Sequence, residues 1–414
     1  MKTTFNVNKT TRAAIKFAAL SVNRKSNVPI LENIHCSANG SLEMTGTDLD
    51  VWTVSRCPCN SEIDGKVTLP CPALKDVAGV KIDGEIFFSS DEKNIVTISQ
   101  SGNERRIYGL AADEFPAMPV LGKTRNVVLN GGKLIAALKA VSLAMSTDES
   151  RYVLNGVCFE VGAEIVRLIA TDGRRLQMAE ISRLGIDAEI EKTKGFIGKK
   201  NGKLAMAAGA KLIRLQTCLP FIIPAKAIEL IQKFPLGKNP LGTEISMEFG
   251  ETYARFTFGD FTLITKQIEE NYPNYKQVIP IDFKERVTVS AKEFQNALEI
   301  AKKGTSEKAR AVRLDIENNL LVASSNSPEV GATVAKMPVN YKGKPFCISF
   351  DPAYLIDACK SVSFIGADMV CDFTDELTPV KISSPDGVLQ IVIMPIRMES
   401  GKPCVEKPVV SAPV

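Results

Sequence analysis

The residues best suited to chemistry in this chain fall into three groups, and their spacing restricts what each could do. Carboxylates form the first. TDLD places Asp48 and Asp50 on one face of a strand, and ATDGRRL places Asp172 ahead of Gly173, Arg174 and Arg175. Acids so placed could hold Mg²⁺ for phosphodiester cleavage, which makes a metal-dependent nucleic-acid enzyme using Asp48, Asp50 and Asp172 the alternative to a binding role. The corresponding position further on is Asn326, however, and short polar residues at strand ends are turn formers. Histidine is the second group: His35, the only one, lies in the alternating run ILENIHCSA, where packing is the commoner role. Cysteine is the third. Cys57 and Cys59 in RCPCN, with Cys71, have C-x-C spacing and no second C-x-x-C pair, so no zinc site is expected. Neither GxxxxGK[ST] nor GxGxxG occurs, which removes the usual phosphate cradles. The expectation is a binding protein without catalytic residues, metal or cofactor.

These groups need elements to carry them. A chain of 414 residues holds two to four domains at roughly 100 to 200 residues each. No apolar run approaches the ~18 residues of a membrane span, and MKTTFNVNKTTR lacks the apolar stretch of a signal peptide. A cytoplasmic location with no membrane partner is expected. The ten cysteines are scattered, with Cys158 and Cys371 inside apolar runs, as suits a reducing compartment.

Internal repeats set the architecture. TFNVNKTTRAAIKFAALSV near the start, NVVLNGGKLIAALKAVSLAM from 126 and RVTVSAKEFQNALEIAKK from 286 each read as strand, polar turn and helix. KVTLPCPALKDVAGV, PFIIPAKAIELIQKF and KPFCISFDPAYLIDAC repeat that pattern once more per third. Alternating stretches such as SLEMTGTDLDVWTV and EIVRLIATDGRRLQMA read as meandering strands between them. An α+β chain of six strand-helix-strand units follows, two per domain, with limits at 1–122, 123–283 and 284–398 and a flexible tail at 399–414. The Asp172-to-Asn326 spacing exceeds the Asp48-to-Asp172 spacing by 30 residues, which points to a basic insertion near 185–215 in the second domain.

Net charge is only +4, so the placement of positive residues matters more than their sum. Lys9, Arg12 and Lys16 share one helix face; Arg24 and Lys25 extend a run with no acid from 9 to 25. Lys133 and Lys139 repeat the pattern, while on the later helices Lys226, Lys233, Lys292, Lys302, Lys303 and Lys360 are diluted by Glu229, Glu293 and Glu299. Duplex DNA carries a phosphate charge every ~1.7 Å, and faces of this kind would contact phosphates without reading sequence.

RKSNVPILENIHCSANGSLEMTGTDLDV, ESRYVLNGVCFEV, ATDGRRL, EFPAMP and the late IMPIRM resemble the bacterial sliding clamp family, the beta subunit of DNA polymerase III, in order over residues 1 to 398. The resemblance implies three tandem clamp domains in a ring with helices lining its interior and sheets outside. It further implies a head-to-tail homodimer around double-stranded DNA that acts as a processivity factor without catalysis. Its partners would be the replicative DNA polymerase, the clamp loader and other clamp-binding replication and repair proteins. Carried over by position, DNA contacts would come from Lys9, Arg12, Lys16, Arg24, Lys25, Lys133, Lys139, Tyr152 and Lys226. A cleft for partner peptides between domains two and three would be lined by Leu154, Thr171, Gly173, Arg174, Arg175, Leu176, Pro273, Gln277, Val278, Val392, Met394, Pro395, Ile396 and Arg397. The subunit interface would use Arg105, Arg106 and Ile107 with Ile300, Lys302 and Lys303. This chain departs from many relatives at Arg174, where they have His, at Gln277, where they have Arg, and in the tail that continues past Met398.

Overall fold

The computed structural model describes residues 1–23, 25–79, 83–184, 219–237 and 239–397. Arg24, the basic insertion near 185–215 and the tail 399–414 lie outside the described residues. Six α-helices occur among those described: α1 (Lys9–Ala18), α2 (Cys71–Gly79), α3 (Gly131–Ser142), α4 (Ala225–Ile231), α5 (Ala291–Lys302) and α6 (Pro352–Ser363). Each follows directly on a strand, as the repeats predict, and the fold class is mixed α+β.

Local chemistry explains where the helices start. Asn8 accepts a hydrogen bond from the Thr11 amide, Asn130 from that of Lys133, Ser290 from that of Glu293 and Asp351 from that of Ala353. Side-chain oxygens thereby satisfy amides that a helix leaves without an intrahelical partner. Their apolar faces then go inward: Ala14, Ile15, Phe17 and Ala18 of α1 are buried, as are Phe294, Ala297, Leu298 and Ala301 of α5.

The chain forms two compact units. One comprises, among the described residues, 1–133, 183–184 and 223–269. A five-stranded antiparallel sheet in it runs in the order Asn60–Ile63, Lys2–Val7, Gly84–Ser90, Ile95–Gln100, Asn103–Tyr108. Its second sheet has eight strands, in the order Arg125–Asn130, Glu244–Phe249, Tyr253–Phe258, Phe261–Lys266, Val51–Pro58, Ser41–Thr47, Asn33–Ala38, Gly65–Pro70. Gly46 is required here by close approach, because a Cβ would lie 2.1 Å from the Ala18 carbonyl oxygen at the end of α1.

The other unit comprises 134–182, 219–222 and 270–397 among the described residues. Its eight-stranded sheet has the order Leu219–Pro224, Gly156–Val161, Ile165–Thr171, Arg175–Ser182, Leu389–Ile393, Val380–Ser383, Asp368–Phe373, Glu285–Ser290. A four-stranded sheet, Gly331–Pro338, Leu320–Ser327, Val312–Glu317, Phe346–Phe350, completes it. The central pairing joins sequence-distant strands: Leu176 is opposite Val392 and Arg175 opposite Ile393. Side chains tie the helices to that junction, where the Ser361 hydroxyl of α6 reaches both the Ala140 carbonyl of α3 at 3.0 Å and Gln177 Oε1 at 2.9 Å.

Candidate functional site

The turn of ATDGRRL is built by its own side chains. Thr171 Oγ1 accepts the Gly173 amide at 3.1 Å, and Asp172 Oδ1 accepts the amides of Arg174 and Arg175 at 2.9 and 3.0 Å. Gly173 has φ +85°, the left-handed region glycine enters without strain. TDLD builds the same turn in the other unit: Thr47 Oγ1 accepts the Leu49 amide, Asp48 Oδ1 accepts those of Asp50 and Val51, and Leu49 has φ +80°. Both aspartates are therefore spent on turns, and each has a cationic partner besides. Lys226 binds Asp48, and Arg175 Nε binds Asp172 Oδ2 at 3.1 Å. The alternative of a metal enzyme using Asp48, Asp50 and Asp172 is corrected on this ground: two of its three acids are turn formers inside ion pairs.

Three segments meet beside the 171–175 turn. The Met394 amide donates to the Arg174 carbonyl at 3.0 Å and the Ile396 amide to the Ser349 carbonyl at 2.7 Å, which fixes Met394 beside the turn and Ile396 against the strand Phe346–Phe350. Arg151 Nη1 donates to the Asp172 carbonyl at 2.9 Å, bringing up the 3₁₀ segment Glu149–Leu154, which kinks at Arg151. Leu154 and Pro273 line a depression of about 380 Å³ together with Arg151, Tyr152 and Glu270. Leu176, Val392 and Thr171 are buried at the strand junction, whereas Met394 is 46% and Val278 45% exposed. Gln277 and Val278 stand exposed on the short helix Tyr275–Val278, anchored by the buried Tyr275, whose hydroxyl donates to Glu160 Oε2 at 2.9 Å. Burial holds the Tyr275 phenol well above its usual range, so it remains a donor.

The two arginines of the motif part company. Arg174 is exposed. Arg175 is nearly enclosed: besides Asp172 it binds Asp357 Oδ2 at 2.7 Å, and its guanidinium lies 4.6 Å above the Tyr354 ring. Tyr354 and Asp357 are one turn apart on α6, and neither was expected at the site from sequence. Their i, i+3 spacing marks one helix face, but only the fold shows that the face meets residue 175, 182 positions away from Asp357.

The basic residues are differently placed from one another. Lys9, Lys16, Lys25, Lys133 and Lys139 are exposed, and Tyr152 is 57% exposed. Two of the expected DNA contacts are ion-paired within the fold. Arg12 forms an ion pair with Asp83, an acid that comes from outside the run 9–25, and Lys226 is bound to Asp48 while burial lowers its pKa. Both charges are partly neutralised within the fold.

On the proposed interface, Asn103–Tyr108 is an edge strand of the five-stranded sheet, with Arg106 exposed and Arg105 paired to Asp76 at 3.0 Å. Ile107 differs from expectation because strand alternation turns it into the core at 7% exposure and sends Tyr108 outward at 78%. Ile300, Lys302 and Lys303 are exposed at the end of α5. His35 packs 5.3 Å from Phe115, its pKa lowered by burial and then by Lys66. Cys57 is buried, and burial pushes its thiol up to about 12. No group of three or more His, Cys, Asp or Glu among the described residues is arranged to hold a metal ion. No helix among them is long and apolar enough to cross a membrane.

Repeated strand-helix units sharing long antiparallel sheets, with basic helix faces and a cleft at a strand junction, define a clamp-type fold. Three family models match the chain in order: the N-terminal domain of the DNA polymerase III beta subunit over residues 3–119, its central domain over 128–197 and its C-terminal domain over 276–397. The beta sliding clamp of Caulobacter vibrioides is 28% identical over 387 residues, covering 91% of this chain and 95% of that protein. That of Synechococcus elongatus is 25% identical over 394 residues, covering 94% and 97%. Among solved structures, the DNA polymerase III subunit beta of Pseudomonas aeruginosa matches with a TM-score of 0.82 at 24% identity, over 96% of this chain and 100% of that one. The sliding clamp of Bartonella birtlesii, solved bound to griselimycin, matches with a TM-score of 0.79 at 26% identity over the same shares. The chain belongs to the DNA polymerase III beta subunit family, the bacterial sliding clamps.

Proposed function

We propose that this protein is a processivity factor, without catalysis of its own, that encircles duplex DNA as a head-to-tail dimer in the cytoplasm and tethers the replicative polymerase, the clamp loader and other clamp-binding proteins. Its domains would divide near residues 122 and 283. One observation carries the DNA-facing part: the first helices of two successive repeats, α1 and α3, expose Lys9, Lys16, Lys133 and Lys139 and contain no acid. Such faces attract phosphates, and their affinity falls with salt as counterions are no longer released at a gain. Partner peptides would enter beside Met394, between Leu154, Pro273 and the 171–176 turn. The griselimycin-bound Bartonella birtlesii relative supports a ligand site in clamps of this kind. Ring closure would pair the edge strand Asn103–Tyr108 with an edge of the four-stranded sheet near α5, hiding two exposed edges.

The test is topological. The mass in solution is measured first, with a dimer expected. The protein is then loaded onto nicked circular DNA by a clamp loader, washed at high salt and compared before and after linearisation. Retention on circles and loss from linear DNA is the expected result. Equal loss from both would show that contact with DNA is electrostatic only.

A further inference from the structure

We propose that Arg175 is a positioning residue of the peptide cleft and that Lys360 on α6 modulates it, so that DNA bound at the helix face tightens peptide binding. The inference rests on the reading above, in which the helices face DNA and the cleft takes a peptide.

The geometry is a chain of shared charges within one unit. Asp357 is held by two cations, Arg175 Nη1 on Oδ2 at 2.7 Å and Lys360 Nζ on Oδ1 at 3.3 Å. Arg175 in turn binds Asp172, whose other oxygen gathers the amides of Arg174 and Arg175 and thereby shapes the turn. The carbonyl of Arg174 accepts the Met394 amide, so the turn's position sets that of the cleft's most exposed apolar residue. The Tyr354 ring beneath the guanidinium keeps Arg175 from swinging away. Arg175 thus has little capacity left for a ligand, and its work is to hold the loop.

Lys360 is the weak member, half exposed and at the longest distance. A backbone phosphate competes well for such a lysine, because it offers a full charge where Asp357 is already shared. Once Lys360 leaves, the carboxylate acts on Arg175 alone. The 172–175 turn is then held more firmly, and a peptide meets a loop that needs less ordering on binding. Binding linkage is reciprocal, so a bound peptide would favour DNA contact by the same factor. The partial exposure of the pair limits the effect to about three- to fivefold.

The experiment titrates a fluorescein-labelled peptide from the tail of the replicative polymerase against wild type, Lys360→Gln, Asp357→Asn and Arg175→Lys, each with and without a saturating short duplex at low salt. Wild type should bind the peptide about three- to fivefold more tightly with duplex present. Lys360→Gln should bind tightly without duplex and gain nothing from it. Asp357→Asn should bind more weakly and also lose the duplex effect. Arg175→Lys, which keeps the charge but not the two-sided fork, should fall between them. A duplex effect of equal size in wild type and Lys360→Gln, or none in a wild type that binds the peptide, overturns the coupling. A wild type that does not bind the peptide overturns the cleft reading itself, and the coupling with it.

Discussion

The turns 47–51 and 171–175 have the same backbone and different surroundings. In each, a threonine hydroxyl accepts the amide two residues on, an aspartate accepts two amides, and the third residue takes a positive φ. The pairing that follows is also alike. Lys266 donates its amide to the Asp50 carbonyl where Met394 donates to that of Arg174, and Trp52 faces Ile264 where Leu176 faces Val392. The difference lies in what fills the space. Trp52 packs with Leu121 and Ile264 and meets Tyr253 edge-on, with ring centroids 6.1 Å apart. Leu176 is smaller, and beside it Met394 stays half exposed. Backbone geometry therefore does not make the cleft. Volume and exposure differ, and the first repeat has used an indole where the second has a leucine beside the exposed Met394.

The sharpest way to break this comparison is to remove the indole. Trp52 is 4% exposed, and its Nε1 has no hydrogen-bond partner among the described residues, so truncation orphans no acceptor and reports packing alone. Trp52→Ala should cost ~3–5 kcal/mol of stability, read as a lower midpoint in urea with unchanged slope. A loss below about 1 kcal/mol would show that the first repeat's junction is not filled by the indole.

Sequence carried this comparison part of the way. TDLD and ATDGRRL are legible as equivalent turns because the residues that build each turn lie within four positions of one another, and the missing acid at Asn326 already argues against metal chemistry. The six helices are legible for the same reason, since caps and apolar faces are local. Ion pairs are not. Asp83 reaches Arg12, Asp48 reaches Lys226 and Asp357 reaches Arg175 across 71, 178 and 182 residues, and no periodicity in one segment records a partner that far away. The inward turn of Ile107 could have been read from strand alternation, with Tyr108 as its exposed neighbour. The closed junction at Trp52 could not, because Leu121 and Tyr253 come from other parts of the chain.

A smaller effect sharpens the comparison at the wall. Met394 and Lys266 occupy matching positions, yet only Met394 offers an adaptable apolar surface. Met394→Ala should weaken a polymerase-tail peptide by about tenfold, roughly 1.4 kcal/mol, while Lys266→Ala leaves it unchanged. Fluorescence anisotropy with one labelled peptide decides between them. Unchanged binding by Met394→Ala would place the partner site elsewhere.

The smallest effect lies in the third residue of each turn, where the two repeats make opposite choices. Leu49 sits at φ +80° and Gly173 at φ +85°, so the same conformation is occupied once with a Cβ and once without. A left-handed backbone costs an L-residue ~1–2 kcal/mol, and glycine avoids that cost but loses ~0.5–1 kcal/mol through the entropy of its unfolded chain. Those terms nearly cancel for Leu49→Gly, whose half-exposed side chain adds little, so its stability should stay within about 0.5 kcal/mol of wild type. Gly173→Leu meets more than strain. A Cβ there would lie 3.0 Å from Arg151 Nη1, the group that donates to the Asp172 carbonyl and brings the Glu149–Leu154 segment to the cleft. Displacing Arg151 loosens Leu154 as well as the turn, and the expected cost is ~1–2 kcal/mol together with weaker peptide binding. Thermal unfolding of the two variants side by side reads the asymmetry. Equal shifts in both would mean that Arg151 gives way freely and that the two turns differ only in what packs behind them.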